Sequence, residues 1–133
     1  MPQDPLAIVQ DVYAAFGRGD VTGLLRKLAP DVAWEVAGRR GDYPTFGAWP
    51  GREGVLEFFH ALSEIEEITE FVPVSLHPAG ETVLVQGRVA LTLKSNGRPL
   101  AYDWLHVFEV RDGKVAVFRE FYDTALVVEA YRA

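Results

Sequence analysis

The sequence predicts a two-layer α+β domain in which three N-terminal helices pack on a strongly bent antiparallel sheet. Apolar residues recur at helical spacing through the first half of the chain and alternate with polar residues at strand spacing in the second half. Two sharp turn signals, Asn96-Gly97 and Asp112-Gly113, separate the last strands. The 133 residues are enough for one core but not for two, so we expect a single domain over residues 1–133.

Capping residues and apolar stripes predict the three helices. The first has Asp4 as its N-cap and Pro5 in its first position, and it ends at Gly17. The second begins after Asp20 and ends at Pro30, and the third follows residue 51. The inward-facing residues are Leu6, Val9, Tyr13 and Phe16, then Val21, Leu24, Leu25 and Leu28, and then Val55, Phe58, Phe59 and Leu62.

Alternation predicts one short strand before the third helix and four longer strands after it. The predicted ranges are 32–36, 68–76, 82–93, 100–110 and 115–123. An irregular segment over residues 38–51, rich in Gly, Pro and aromatic residues, connects the first strand to the third helix. Such a segment is either a fixed plug at one end of the sheet or a mobile lid.

The C-terminal hairpin is the most informative part of the chain because it can place an imidazole beside a carboxylate. A three-residue loop with Gly113 in the left-handed conformation brings Glu120 to the face that holds His106. A two-residue Asp112-Gly113 loop brings Arg119 there instead. We favour the three-residue loop because it collects the aromatic residues and both titratable groups on one face, as in a pocket wall. The other residues of that face are Tyr102, Trp104, Phe108, Phe118 and Tyr122.

Composition excludes several classes of function. The net charge is −6, and the sequence has no basic stripe, so we expect no nucleic-acid partner. Cysteine is absent, which removes disulfides, thiol nucleophiles and thiolate metal sites. Residues 1–5 do not resemble a secretory signal, and no apolar stretch approaches the roughly 18 residues of a membrane span. We therefore expect a cytoplasmic protein that does not contact a membrane.

Local motifs then identify a family. They are VYAAFGRGD at 12–20, YPTFGAWPGREGV at 43–55, FF at 58–59, HVFEVRDGKV at 106–115 and YD at 122–123. With this order of elements, the chain resembles the nuclear-transport-factor-2-like (NTF2-like) superfamily, and within it the SnoaL-like polyketide cyclases and ketosteroid-isomerase-related proteins. The resemblance implies a cone-shaped fold whose bent sheet and helices enclose a deep apolar cavity. It specifies the reaction poorly, because one fold hosts many chemistries.

Two relatives with known catalytic patterns fit poorly. For ketosteroid isomerase, the resemblance places the base on Val36 and the oxyanion acid on His106, with the Tyr position near Val12, so two of three roles are vacant. Limonene-epoxide-hydrolase-like enzymes carry an Arg-x-Asp motif and a later acid. The corresponding positions here are Arg88-Val89-Ala90 and Glu120, and Ala90 replaces the expected acid.

The polyketide cyclases fit best, since the resemblance places their His and acid on His106 and Glu120. Intramolecular aldol closure requires removal of a proton alpha to a carbonyl and stabilisation of the enolate oxygen. A poorly solvated Glu120 would be the base, and His106 would either bind the enolate or orient the carboxylate. Glu replaces the usual Asp, which moves the carboxylate by one methylene group. Alternatively, His106 and Glu120 only satisfy one another as a buried pair.

The expected ligand is a small hydrophobic molecule, and we expect neither a cofactor nor a metal, because His106 and Glu120 have no third ligand. Arg88 is either a substrate clamp or a neutralising partner for Glu120. Tyr13, Phe16 and Phe58 are interpreted as core or pocket lining. The expected ligand-binding residues are Trp34, Tyr43, Phe46, Trp49, Phe59, Arg88, Tyr102, Trp104, Phe108 and Tyr122.

The outer face of the sheet predicts a homodimer, which is also how relatives in this superfamily commonly associate. That face is expected to be too apolar for exposure to water. Its expected apolar residues are Leu105, Val107, Val115, Val117 and Phe121, with Val83, Val85, Val89 and Leu91 added from strand 82–93.

Three functions remain open at this point: a cofactor-independent cyclase or isomerase, a non-catalytic binder of a similar ligand, and a scaffold whose dimer surface matters.

Overall fold

A computed structural model describes residues 4–133, and this part of the chain contains four helices and six strands. The expectation about a secretory signal falls partly on residues 1–3, which lie outside the described residues. In chain order the elements are α1 (Pro5–Gly17), α2 (Val21–Arg26), β1 (Leu28–Val36), β2 (Gly47–Ala48), α3 (Gly51–Ile65), β3 (Glu66–Ala79), β4 (Thr82–Leu93), β5 (Pro99–Arg111), β6 (Lys114–Tyr122) and α4 (Thr124–Arg132).

The N-terminal helices form as predicted, with two corrections at their ends. Asp4 precedes α1, but its side chain makes no capping hydrogen bond. Asp20 does cap α2, and its Oδ1 accepts from the backbone N–H of Gly23 at 2.9 Å. The helix does not continue to Pro30, because the chain joins the sheet at Leu28, where β1 begins.

The sheet confirms the α+β class, but it is mixed rather than wholly antiparallel. The strand order is β2-β1-β6-β5-β4-β3, and β1 pairs with β6 in parallel. The pairing is parallel because residues 37–113, which hold α3 and the intervening strands, carry the chain back to the start of the sheet before β6 begins. Register shifts within β3, between Ile68 and Glu70 and between Pro73 and Ser75, bend that edge of the sheet.

The C-terminal hairpin has the predicted face but not the predicted loop. Its loop contains two residues, Asp112 and Gly113, whose φ angles of 52° and 77° fit the hairpin turn that twists with the strands. The irregularity in pairing leaves Ala116 as an extra residue in β6, which shifts the register by one position. Consequently, Glu120 lies directly opposite His106, where a regular two-residue hairpin would have placed another residue.

A fourth helix, α4, follows the last strand and was not predicted. Asp123 caps it by accepting from the backbone N–H of Leu126 at 3.2 Å, and Val127 is fully buried. The ring of Tyr131 packs edge-on against Tyr43 at 5.1 Å. The helix therefore covers the irregular segment that precedes α3.

The division between inner and outer sheet faces corrects part of the dimer prediction. Val83, Val85, Val89 and Leu91 of β4 all point into the core, and the bulge in β6 turns Val115 inward as well. The apolar residues that remain on the outer face are Leu84, Leu105, Val107, Val117 and Phe121.

None of the helices between Asp4 and Ala133 is both long and apolar enough to cross a membrane.

Candidate active site

A cavity of about 70 Å³ lies between the helices and the inner face of the sheet. The helices α1, α2 and α3 supply one wall, and the strands β1 and β3 to β6 supply the other. A surface depression of about 250 Å³ adjoins the cavity, and the two share Phe16, Leu24, Phe59, Leu62, Glu66 and Ile68. The cavity and the depression therefore adjoin each other beside the start of β3.

Most of the predicted site residues line this cavity. Alternation along β5 and β6 brings their aromatic side chains to one face, as expected from the sequence. The predicted residues that line the cavity are Trp34, Phe59, Tyr102, Trp104, His106, Phe108, Glu120 and Tyr122.

The irregular segment before α3 does not contribute its aromatic residues to the cavity wall. Tyr43 and Phe46 are buried behind the wall, and the indole N–H of Trp49 donates to the Thr45 carbonyl oxygen at 3.0 Å while its ring packs against Phe58. These three aromatic residues line a separate surface depression. The segment is packed as a plug here, and the predicted ligand contacts of Tyr43, Phe46 and Trp49 are corrected accordingly.

Arg88 is also misplaced in the sequence-based prediction. It alternates with the buried Val89 and therefore points to the outer face, where its Nε lies 3.3 Å from Glu70 Oε1. Because the side chain is on the opposite side of the sheet from Glu120, Arg88 can neither neutralise that carboxylate nor clamp a ligand in the cavity. Ala90 lies on the same outer face as Arg88. The pattern expected of an epoxide hydrolase therefore lacks its cation in the cavity, and it also lacks its first acid, which Ala90 replaces.

The centre of the cavity wall is a hydrogen-bonded chain of three side chains from three elements. The Tyr13 hydroxyl of α1 lies 2.7 Å from His106 Nδ1 of β5, and His106 Nε2 lies 2.7 Å from Glu120 Oε2 of β6. The imidazole stacks on Trp104 at 3.9 Å between ring centres. His106 is buried, whereas the Glu120 side chain is 20% exposed. The pair is thus held rigidly, and the carboxylate is its more accessible end.

The protons in this chain can be assigned from the environment of Tyr13. Burial raises the pKa of its hydroxyl far above the ordinary value, and the nearby charge of Glu120 raises it further. Tyr13 therefore keeps its proton and donates it to Nδ1, which makes Nε2 the protonated nitrogen that donates to Glu120. This arrangement leaves Glu120 Oε1 without a hydrogen-bond partner among residues 4–133.

Sequence reasoning missed Tyr13 as a polar site residue because its position on the apolar stripe of α1 predicts packing. The ring does pack, edge-on against Phe108 at 5.7 Å. Only the three-dimensional meeting of α1 with β5 shows that the hydroxyl reaches the imidazole.

A second buried carboxyl group, Glu66, lines the same cavity and was also missed. It is 8% exposed, and the Tyr43 hydroxyl donates to its Oε2 at 2.6 Å. Burial raises its pKa to about 7; the Tyr43 hydrogen bond acts in the opposite direction, and the charge of Glu120 adds to the rise. The predicted strand began at residue 68, two residues after Glu66, so Glu66 was not considered as part of the sheet. Its spacing of two from Ile68 was the available signal.

Two buried indole groups in the cavity wall have unsatisfied donors. Within residues 4–133, Trp34 Nε1 and Trp104 Nε1 find no hydrogen-bond partner. Leaving a buried donor unpaired costs about 1–3 kcal/mol. An acceptor atom on a bound molecule would remove that cost.

No group of three or more His, Asp or Glu side chains within residues 4–133 comes together as a metal site would require.

Comparison with known proteins assigns the family. The family model described as "SnoaL-like domain" matches residues 9–118. No curated protein matches the chain.

Solved structures agree over nearly the whole chain. An NTF2-like protein from Burkholderia xenovorans is 35% identical with a TM-score of 0.86, and the alignment covers 98% of this chain and 97% of that one. An NTF2-like protein from Burkholderia thailandensis is 31% identical with a TM-score of 0.89, over 98% and 99% of the two chains. TerC, co-crystallised with polyporic acid, is 24% identical with a TM-score of 0.84 over 97% and 98%, and at that identity only the fold is compared. The chain belongs to the SnoaL-like domain family and has the NTF2-like fold.

Proposed function

We propose that the chain binds a small hydrophobic carbonyl compound in the cavity and catalyses proton transfer at the carbon next to the carbonyl group. The observation that carries this proposal is the hydrogen-bonded chain Tyr13–His106–Glu120 in an otherwise apolar, aromatic wall. A carboxylate with one oriented oxygen and one free oxygen is suited to act as a general base.

The proposed reaction begins with the free oxygen of Glu120. It takes a proton from the carbon alpha to the carbonyl: the C–H bond breaks, its electron pair forms a C=C bond, and the former C=O π pair moves to oxygen. His106 has both ring nitrogens occupied, so it orients Glu120 and has no free nitrogen to hydrogen-bond the substrate.

The cavity favours a compact ligand. Pockets that bury drug-sized molecules measure about 300–1,000 Å³, whereas this cavity measures about 70 Å³. A planar polyaromatic substrate would require the wall to move. We therefore propose a ligand of a few carbon atoms around one or two carbonyl groups.

A non-catalytic binder is the second candidate. It is favoured by the same 2.7 Å contact between His106 and Glu120, because such a pair also satisfies two buried polar groups without any reaction. The two candidates differ in one respect: a binder would hold the carbonyl compound without exchanging its alpha protons.

The test measures both the binding of a ketone and the exchange of its alpha protons for deuterium. Thermal-shift measurements with small ketones from acetone to cyclohexanone report binding, since a ligand that binds only the folded state raises its stability. Incorporation of deuterium from D₂O into the same ketones, followed by NMR, reports proton abstraction. We expect Glu120→Gln to keep the thermal shift and lose the exchange, and Glu109→Gln, on the outer face of β5, to keep both. Binding with no exchange in the wild type would support the binder instead.

We further propose that the protein is a cytoplasmic homodimer that associates through the outer face of its sheet. Leu105 and Phe121 lie directly opposite each other on the two paired strands of that face, and Val107, the next residue of β5 on the same face, lies opposite Arg119. Leu84 on β4 is 38% exposed and extends the patch. Contiguous exposed apolar surface of this kind marks association sites.

A further inference from the structure

We propose that Glu66, positioned by Tyr43, is a second functional carboxyl group of the cavity, which donates a proton to the carbonyl oxygen of the ligand while Glu120 removes one from the adjacent carbon. The inference rests on the proposed function and extends it. It assigns the two ends of the reaction to two carboxyl groups, and it restricts the substrate class to compounds that pass through an enol.

The position of Glu66 is fixed by the junction of two elements. It is the first residue of β3, directly after α3, and it pairs with Leu93 of β4. Glu66 lines both the cavity and the adjoining depression, so it lies where the two meet. The Tyr43 hydroxyl, 2.6 Å from Oε2, fixes the rotation of the carboxyl group and leaves Oε1 as the oxygen that can carry a proton.

The charges around Glu66 favour its protonated form. No Lys or Arg is among the cavity-lining residues, and a buried carboxylate without a cation is poorly stabilised. Lys94, which follows its strand partner, is exposed and donates to the Ser63 carbonyl oxygen at 2.6 Å. The titratable groups that line the cavity or bind Glu66 are Tyr13, Tyr43, Tyr102, His106, Glu120 and Tyr122.

None of those tyrosines offers a compensating charge. Burial raises the pKa of Tyr13, Tyr43, Tyr102 and Tyr122, so all four stay neutral. Glu120 is the hydrogen-bonded partner of His106 and is the more accessible carboxyl group. Two carboxyl groups in one site with different surroundings are the usual arrangement of an acid and a base.

The step balances with these two residues alone. Glu120 takes the proton from the alpha carbon, the C–H electron pair becomes the C=C bond, and the carbonyl oxygen takes the proton of Glu66. The product is a neutral enol, with Glu66 ionised and Glu120 protonated. The reverse step returns a proton to the carbon, and it delivers deuterium when Glu120 has exchanged with D₂O.

The experiment measures the pH dependence of exchange with cyclohexanone as the probe. We expect wild-type exchange to fall about tenfold per pH unit above pH 7, because Glu66 loses its proton there. Glu66→Gln keeps the shape and a hydrogen-bond donor but cannot lose a proton, so this alkaline decline should disappear and the rate below pH 7 should drop by at least about tenfold. Glu67→Gln, at the exposed neighbouring position, is the matched control and should behave like the wild type.

A second readout needs no ligand. The side-chain carboxyl carbon of Glu66, followed by NMR, should titrate near pH 7. Tyr43→Phe should move that titration upward, because the lost hydrogen bond stabilises the carboxylate. Two results would overturn the assignment of Glu66 and leave Glu120 as the base. One is titration of Glu66 at the ordinary pKa of a glutamate, and the other is an exchange rate that still falls above pH 7 in Glu66→Gln. Absence of exchange in the wild type would overturn the proposed function itself.

Discussion

At the scale of single residues, the site depends on which groups surround each carboxyl. Glu120 accepts a hydrogen bond from a ring nitrogen of His106, whereas Glu66 accepts one from the neutral hydroxyl of Tyr43. The sequence predicted that His106 and Glu120 share one face of the hairpin, but the bulge that places them directly opposite each other was not predicted. Glu66 and Tyr13 were not predictable, since their roles depend on contacts between distant elements.

Removal of the Tyr13 hydroxyl should weaken the site without unfolding the protein. Tyr13→Phe leaves His106 Nδ1 buried without a donor, which costs about 1–3 kcal/mol of unfolding free energy. The freed imidazole can change its tautomer, so we also expect slower exchange of the ketone probe. Urea denaturation and the exchange assay measure the two effects. Tyr131→Phe is the control. Equal effects in both variants would contradict a role for Tyr13 in the hydrogen-bonded chain Tyr13–His106–Glu120.

Glu66 should make the stability of the protein depend on pH. Its pKa is raised from 4.5 to about 7 in the folded state, so the folded state binds the extra proton and is favoured below pH 4.5. This contribution, on the order of 3 kcal/mol, is lost as the pH rises through 7. We expect Glu66→Gln to be more stable than the wild type at pH 8 and similar to it at pH 4.5. Urea denaturation at each pH measures the free energy of unfolding of both proteins. The same pH dependence in the wild type and Glu66→Gln would contradict the raised pKa of Glu66.

At the scale of elements, regular alternation was the reliable signal. The strand β4 was predicted to its last residue, and β5 within one residue at each end, because long alternating runs dominate there. The parallel pairing of β1 with β6 was not predictable, since it depends on where the chain returns over a long distance. The helix α4 was missed because its N-cap, Asp123, was taken as the last residue of the preceding strand. The C-terminal hairpin illustrates both cases. The face that holds His106 and Glu120 was predicted correctly, whereas the bulge at Ala116 was not predicted.

The packing of Trp104 depends on a glycine in the neighbouring strand. A Cβ atom at Gly87 would overlap the indole ring, which is itself stacked on His106 and on Phe71 at 4.9 Å. Gly87→Ala should therefore displace the indole, at a cost of about 1–3 kcal/mol, and slow the exchange reaction by disturbing His106. Thermal unfolding and exchange measure this. Gly17→Ala, where nothing lies within 4 Å, should change neither; full stability and activity in Gly87→Ala would contradict the packing.

At the scale of the whole molecule, the SnoaL-like fold separates two surfaces of one sheet. The inner face, with the helices, encloses the cavity and its two carboxyl groups, while the outer face carries an apolar strip formed by Leu84, Leu105, Val107, Val117 and Phe121. The general fold followed from the order of the elements in the sequence. The division of residues between the two faces was wrong for Val115, which the bulge in β6 turns inward, and for the apolar residues of β4, which lie on the inner face.

If the chain associates through the outer face of its sheet, a charged substitution on that face should lower the molecular mass in solution. Val107→Asp places a charge at the centre of the strip and should shift the mass in light scattering from that of a dimer to that of a monomer. Leu56→Asp, at an apolar residue of α3 that is 52% exposed, is the control and should remain a dimer. A wild-type monomer, or a folded Val107→Asp dimer, would contradict association through this face.

The central claim is that Glu120 abstracts a proton from a carbonyl compound, and deuterium incorporation into cyclohexanone tests it most directly. We expect the wild type and Glu109→Gln to incorporate deuterium, and Glu120→Gln to lose incorporation by at least about a hundredfold while the ketone still stabilises it. Equal incorporation by the wild type and Glu120→Gln would contradict the claim.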